Sequence, residues 1–212
     1  MRRPHRRLVI LARWPAPGRC KSRLAADVGA ARAAAVQQRL TTHVAAAARQ
    51  ACSGSIDLLL ACSGLGPGAA ARWGAELGLP RVVDQGEGSL GLRLRRQVVR
   101  AGREGVRQIV LIGSDLPELS ALDLRAAFTA LARGQAMVLG PAPDGGYWLL
   151  GLDLQRAGPA ARLFCGAEAA IAWGGDRVCE QTLQAAAREG ISALLLPCRA
   201  DLDRPEDLGR WR

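Results

Sequence analysis

The chain has a single lysine, Lys21, and only two histidines, two phenylalanines and one tyrosine in 212 residues. His5 lies in a basic leader and His43 in an Ala-rich helical run, so histidine-centred catalysis is poorly supplied. The six cysteines form no C-x-x-C pair and have no histidine partners at zinc spacing, which argues against a structural zinc site or a disulfide scaffold. No apolar run approaches the roughly 20 residues of a membrane helix. Arg2, Arg3, Arg6 and Arg7 followed by Leu8–Ala12 imitate a secretion signal. That apolar stretch is shorter than the roughly 7 to 15 residues such a signal needs. The expectation is a basic tail over residues 1–6 feeding a first strand, and a cytoplasmic protein with no membrane partner.

What the chain does contain is arginine. The formal charge is +10, carried by arginines scattered through every helix. Aromatics are 4% and are not interleaved with a basic run, so no stacking platform for nucleic acid is present and none is expected as a partner. A positive field of this kind favours small anionic ligands such as nucleotides.

Apolar runs at Arg7–Ala12, Ile56–Ala61, Arg81–Val83, Arg107–Ile112, Ala136–Leu139, Tyr147–Leu152 and Ala193–Leu196 read as strands. Helical stretches separate most of them: Ala25 to about Ala51 with a break near Gly29, Ala69–Glu76, Leu90–Gly102, Leu122–Leu131, Arg177–Glu189 and Pro205–Trp211. This alternation predicts a single α/β domain over residues 1–212, three-layered, with a mostly parallel central sheet. Ligands of such sheets sit beyond the carboxyl ends of the strands, which directs attention to the loops after Ala12, Val83, Ile112 and Leu139.

Those loops carry the unusual residues. In LARWPAPGRCKSRL (Leu11–Leu24) a strand runs into a Pro/Gly loop, and Lys21 and Arg23 open a helix, the makings of a phosphate site without a P-loop signature. In GSDLPEL (Gly113–Leu119) Asp115 stands at a strand end. Ser120 and Asp123 already have capping-box spacing for the next helix, which leaves Asp115 available to a divalent cation. In GPAPDGGYWLLGL (Gly140–Leu152) Asp144, Gly145 and Gly146 suit either close approach to a ligand or an Asp-Gly hairpin turn. In WGGDR (Trp173–Arg177) Asp176 reads as a helix N-cap. In DLDRPEDL (Asp201–Leu208) Asp203 and Glu206 read as a cap around Pro205, whereas Asp201 has no structural explanation. Gly86–Gly91 matches G-x-G-x-x-G, but Glu87 inside the turn and its place after the third strand argue against a dinucleotide site.

Together with QGEGSLGLRL, these segments resemble the bacterial DUF2064 transferases, in order, from about Leu8 to Leu208. That family is known as glycosyltransferases of the Rossmann-like GT-A, nucleotide-diphospho-sugar-transferase fold, linked with radical-SAM and selenium- or arsenosugar-related genes. The resemblance implies Mg²⁺ or Mn²⁺ held by Asp115 with Asp201 or Asp203, and a sugar-nucleotide donor. Arg13, Pro17, Gly18, Lys21, Arg23, Ser114, Gly145, Gly146 and Trp173 are then the expected donor-binding positions. Lys21 and Arg23 would stabilise the leaving nucleotide, and Asp144 or Asp176 would deprotonate a small-molecule acceptor. One departure is Arg204, where the family usually has Thr. The layout also resembles guanylyltransferases that hold a nucleoside triphosphate with a basic element after the first strand, so nucleotidyl transfer with pyrophosphate release is the alternative.

Overall fold

The computed structural model describes residues 5–52, 56–79, 81–158, 160–164 and 171–209. Cys165, most of the basic tail and the expected helix end at Trp211 lie outside them. Seven strands are described: β1 (Arg6–Arg13), β2 (Ile56–Ser63), β3 (Val82–Asp84), β4 (Gln108–Ile112), β5 (Met137–Pro141), β6 (Tyr147–Asp153) and β7 (Ala193–Leu195). They form one sheet in the order β3-β2-β1-β4-β6-β5-β7. Only β6 runs against the others, pairing antiparallel with β4 and β5. The expected three-layer, mostly parallel sheet is what is found.

The layers follow from strand alternation. Leu8, Ile10 and Ala12 of β1 face one core with Val44 and Ala48 of α2 (Ala30–Ala51), Trp73 of α3 (Pro67–Glu76) and Phe128 of α5 (Ala121–Ala132). Val9 faces the other, with Leu94 and Val98 of α4 (Leu90–Arg103), Phe164 of a short 3-10 helix (Ala160–Phe164) and Ala186 of α6 (Val178–Arg188). The long Ala-rich helix is divided at Gly29, whose φ of 85° ends α1 (Ser22–Val28) before α2 begins. Among the described residues no helix is long and apolar enough to cross a membrane.

β1 pairs with β2 on one side and β4 on the other, so the strand order reverses there and opens a crevice at their carboxyl ends. The amino ends are closed differently. Arg7, 1% exposed, donates to Asp57 at 2.7 Å and to Glu104 at 2.6 Å, and Arg81 donates to the same two carboxylates. Burial alone would raise the Glu104 carboxyl, but hydrogen bonds from Arg7 and Arg81 hold it below its ordinary value.

Candidate active site

The loop after β1 ends at Lys21, whose φ of 49° and ψ of 50° make it the one non-glycine residue in the left-handed region among the described residues. Such a backbone costs of order 1–2 kcal/mol and persists where its surroundings hold it. The side chain is held: it is 2% exposed, with Nζ 2.7 Å from Asp203 Oδ1 and 3.3 Å from Asp115 Oδ2. Burial works to lower the ammonium's pKa, but Asp115 and then Asp203 overcome it, and the net shift is upward.

Asp115 follows β4. Its Oδ1 accepts from Gln37 Nε2 at 2.8 Å and from Ser114 Oγ at 3.2 Å, leaving Oδ2 toward Lys21. It has no capping duty, because Ser120 and Asp123 form the capping box of α5. Its carbonyl accepts the Leu202 N–H at 3.1 Å. Leu202 is fully buried against Leu24, Ala33 and Leu40. Anchoring Leu202 inward places its neighbour Asp203 in the cleft, while Asp201 is half-buried on the other side of the anchor. The cap expected from Asp203 and Glu206 is not made. Asp207 instead accepts from the Asp203 and Arg204 N–H groups at 2.9 and 2.8 Å, at the start of α7 (Pro205–Leu208). This frees the Asp203 carboxylate for Lys21. Asp201 is pushed up to about 7, by burial first and then by Asp115, Asp203 and Asp144, with Lys21 opposing.

Lys21, Asp115 and Asp203 border a cleft of about 570 Å³, the size of a small-ligand site, whereas Asp201 lies outside its lining. Of the expected residues, Arg13, Lys21, Arg23, Ser114, Asp115, Asp144 and Asp203 line it. An adjoining hollow of about 920 Å³ shares Arg13, Arg19, Lys21 and Arg93 with it and adds Gly18 and Asp84. Pro17 is exposed and lines neither hollow.

The Gly-Gly turns serve each other more than the cleft. A Cβ on Gly145 would fall 1.6 Å from the Asp176 carbonyl oxygen, and Gly145's own carbonyl accepts the Cys179 N–H at 2.8 Å. Gly146 donates its N–H to Asp144 Oδ1 at 3.0 Å, fixing the carboxylate by a local turn. Asp176 is exposed, lines neither hollow and does not cap α6, whose N-cap is Arg177. The carboxyl of Asp176 therefore stays outside the site while its backbone packs. Trp173 likewise lies against Gly91, where a Cβ would come within 2.5 Å of the indole, and against Phe164, with ring centroids 6.4 Å apart. That contact explains Gly91 of the G-x-G-x-x-G loop without any dinucleotide.

Sequence reading passed over Gln37, Gln85, Arg19 and Arg93. Gln85 donates to the Ala12 and Ala61 carbonyls at 3.0 and 2.8 Å, stitching the ends of β1 and β2. It also accepts from Arg93 at 3.2 Å, which aims that guanidinium at the cleft. A signal for Gln37 was available: it falls on the apolar stripe of Ala33, Leu40 and Val44, where a polar residue needs a partner.

Among the described residues no three His, Cys, Asp or Glu side chains are grouped so that they could hold a metal ion by themselves. Asp115 and Asp203, which flank the Lys21 ammonium in the cleft, are hard oxygen donors. Such a set suits Mg²⁺ or Mn²⁺, which takes one or two carboxylates and completes its shell from water and substrate phosphates.

The strand order, the β1/β4 crevice and this charged cleft define a Rossmann-like fold of the nucleotide-diphospho-sugar-transferase, GT-A type. The chain belongs to the DUF2064 family, described as uncharacterized proteins conserved in bacteria, with residues 44–174 matching. A protein of Desulfovibrio desulfuricans G20, provisionally described as a nucleotide-diphospho-sugar transferase, superposes with a TM-score of 0.82 at 27% identity, over 95% of this chain and 84% of that one. Two more distant structures share the fold alone. Glucosyl-3-phosphoglycerate synthase of Mycobacterium tuberculosis, in complex with Mn²⁺, UDP and glucosyl-3-phosphoglycerate, has a TM-score of 0.56 at 16% identity, over 97% and 75% of the chains. CMP:2-keto-3-deoxy-manno-octonic acid synthetase with CTP has a TM-score of 0.59 at 12% identity, over 97% and 96%. No curated protein matches the sequence.

Proposed function

We propose that this is a single-domain cytoplasmic transferase, dependent on Mg²⁺ or Mn²⁺, that moves a sugar from a nucleotide-diphosphate donor to a small hydroxyl-bearing acceptor. The observation that carries the reading is the cluster of Asp115, Asp201 and Asp203 around Lys21 at the crevice between β1 and β4. Asp115 with Asp203 or Asp201 would hold the cation, which when bound neutralises charge on the donor's diphosphate. Lys21 and Arg23 stabilise the nucleoside diphosphate as it leaves with the electron pair of the glycosidic bond, a form of stabilisation that contributes most when preorganised. Asp144, turned into the cleft by its bond from Gly146, accepts the acceptor's hydroxyl proton as that oxygen attacks the sugar carbon. Arg13, Gly18 and Ser114 border the donor's path. The D. desulfuricans likeness and the Mn²⁺–UDP complex of the mycobacterial synthase support this assignment.

A second reading has its own observation. Arg13, Arg19, Arg23 and Arg93 border the cleft in addition to Lys21, more positive charge than a diphosphate requires. A nucleoside triphosphate and release of pyrophosphate would use it, as the CTP-bound synthetase of the same fold suggests. Incubation with Mn²⁺ and a panel of sugar nucleotides and nucleoside triphosphates separates the two. Metal-dependent hydrolysis or stabilisation with a sugar nucleotide supports glycosyl transfer. Pyrophosphate from a triphosphate replaces it with nucleotidyl transfer, and no response to either class removes the assignment.

A further inference from the structure

Gln37 lies in the middle of α2, 4% exposed, where the surrounding face is Ala33, Ala34, Leu40 and Val44. A buried amide among apolar neighbours is costly unless it is bonded. Here its Nε2 reaches Asp115 Oδ1 at 2.8 Å, Ser114 Oγ at 3.1 Å and Thr41 Oγ1 at 3.3 Å. Ser114 Oγ in turn donates to the same Asp115 Oδ1, and Thr41 Oγ1 donates to the Gln37 carbonyl at 2.9 Å. Two donors thus converge on one oxygen of a carboxylate whose other oxygen faces the cleft. The amide has a job that an alanine or leucine on the same stripe could not do.

We infer that Gln37 is a positioning residue: by fixing Asp115 Oδ1 it presents Oδ2 to the cation site. This rests on the reading of Asp115 as a metal ligand. Outer partners of this kind orient ligating carboxylates, and their loss typically costs about 10- to 100-fold in metal affinity. Glutamine suits the post because it is a neutral donor. A glutamate there would set a second negative charge against Asp115.

The test is calorimetric titration of the full chain with Mn²⁺ alone, comparing the parent protein with Gln37→Met, which keeps volume and removes the donor. Gln37→Asn keeps the amide but shortens its reach, and serves if the Met variant does not fold. Thr182→Val, which removes a buried hydroxyl bonded to the Val178 carbonyl on α6, controls for general destabilisation. Mn²⁺ affinity is expected to fall about tenfold in both Gln37 variants and to stay at the parent value in Thr182→Val. Parent-like affinity in a folded Gln37 variant overturns the positioning role while leaving the transferase reading intact. An equal loss in Thr182→Val overturns it too, as a stability effect. Failure of the parent itself to bind Mn²⁺ overturns both.

Discussion

Lys21 Nζ and Asp203 Oδ1 lie 2.7 Å apart across 182 positions of sequence, and the lysine end of the pair is buried. The ammonium is therefore the fixed countercharge of the cleft. Lys21→Met should reduce turnover about 100- to 1000-fold, the usual cost of losing one preorganised charge donor. It should also lower stability by about 1 kcal/mol, because both carboxylates remain partly hydrated. Steady-state kinetics and thermal melts read the two effects, and unchanged turnover would remove Lys21 from the chemistry.

Asp201 gives the protein an inverted acid response. An unfolded Asp ionises near 3.8, whereas the folded chain holds the Asp201 proton up to about 7. Across that interval the native state binds more protons than the unfolded one, so stability from this group falls as pH rises and levels off above about 7. In metal-free buffer Asp201→Asn should melt higher than the parent at pH 8, on the order of 5 °C, and match it near pH 4. The parent should also bind Mn²⁺ more tightly at pH 8 than at pH 6, because the metal competes with this proton. Equal melts of parent and variant at both pH values would contradict this.

Two aspartates competed for the role of base, and the cleft separates them. Asp144 lines it; Asp176 does not. Asp144→Ala should lower the maximal rate by about 100-fold or more, whereas Asp176→Ala should stay within about twofold of the parent, the small effect usual for an exposed side chain. Gly145→Ala should fail differently, in folding, because its Cβ meets backbone. Comparable rates in the two aspartate variants would reject the assignment.

At the opposite end of the sheet, Arg7→Met leaves Asp57 and Glu104 with Arg81 as their one remaining partner and should cost about 1–3 kcal/mol, the range for losing hydrogen bonds to charged groups. Glu104 is held below its ordinary pKa, so its contribution is complete above about pH 4.5 and is lost as pH falls through the lowered value. Acid denaturation should therefore begin at a higher pH in Arg81→Met, which removes one of its two partners. An unchanged acid limb would show that Arg7 alone suffices.

Strand positions were legible because β1, β2 and β4 contain short apolar runs ended by turn residues, and the break at Gly29 was legible from glycine alone. Local pattern misplaced β3 by one residue and passed over the 3-10 helix, whose sequence carries no period. Sheet order is a property of long-range pairing and was not readable. That Asp115 is free of capping duty was readable because a second cap stood next to it; Asp203 was misassigned to a cap because Asp207 offered the same service in place of Glu206. Gln37 was missed although its place on the apolar stripe with Ala33, Leu40 and Val44 marked it as buried; its partner Asp115 is brought near only by long-range packing. Asp176 and Trp173 illustrate the converse, with motif residues spent on holding turns together.

The Leu202–Asp115 backbone bond has a consequence for the order of events in a cell. Translation delivers the loop after β1 early and Asp115 midway, but the cleft gains its last carboxylate only once residues 201–203 have left the ribosome and docked. Until then Lys21 has half its countercharge and no closed cleft. A nascent or clipped chain carrying most of the sheet but lacking residues 201–203 would thus lack the Lys21–Asp203 pair that ties the first loop to the last.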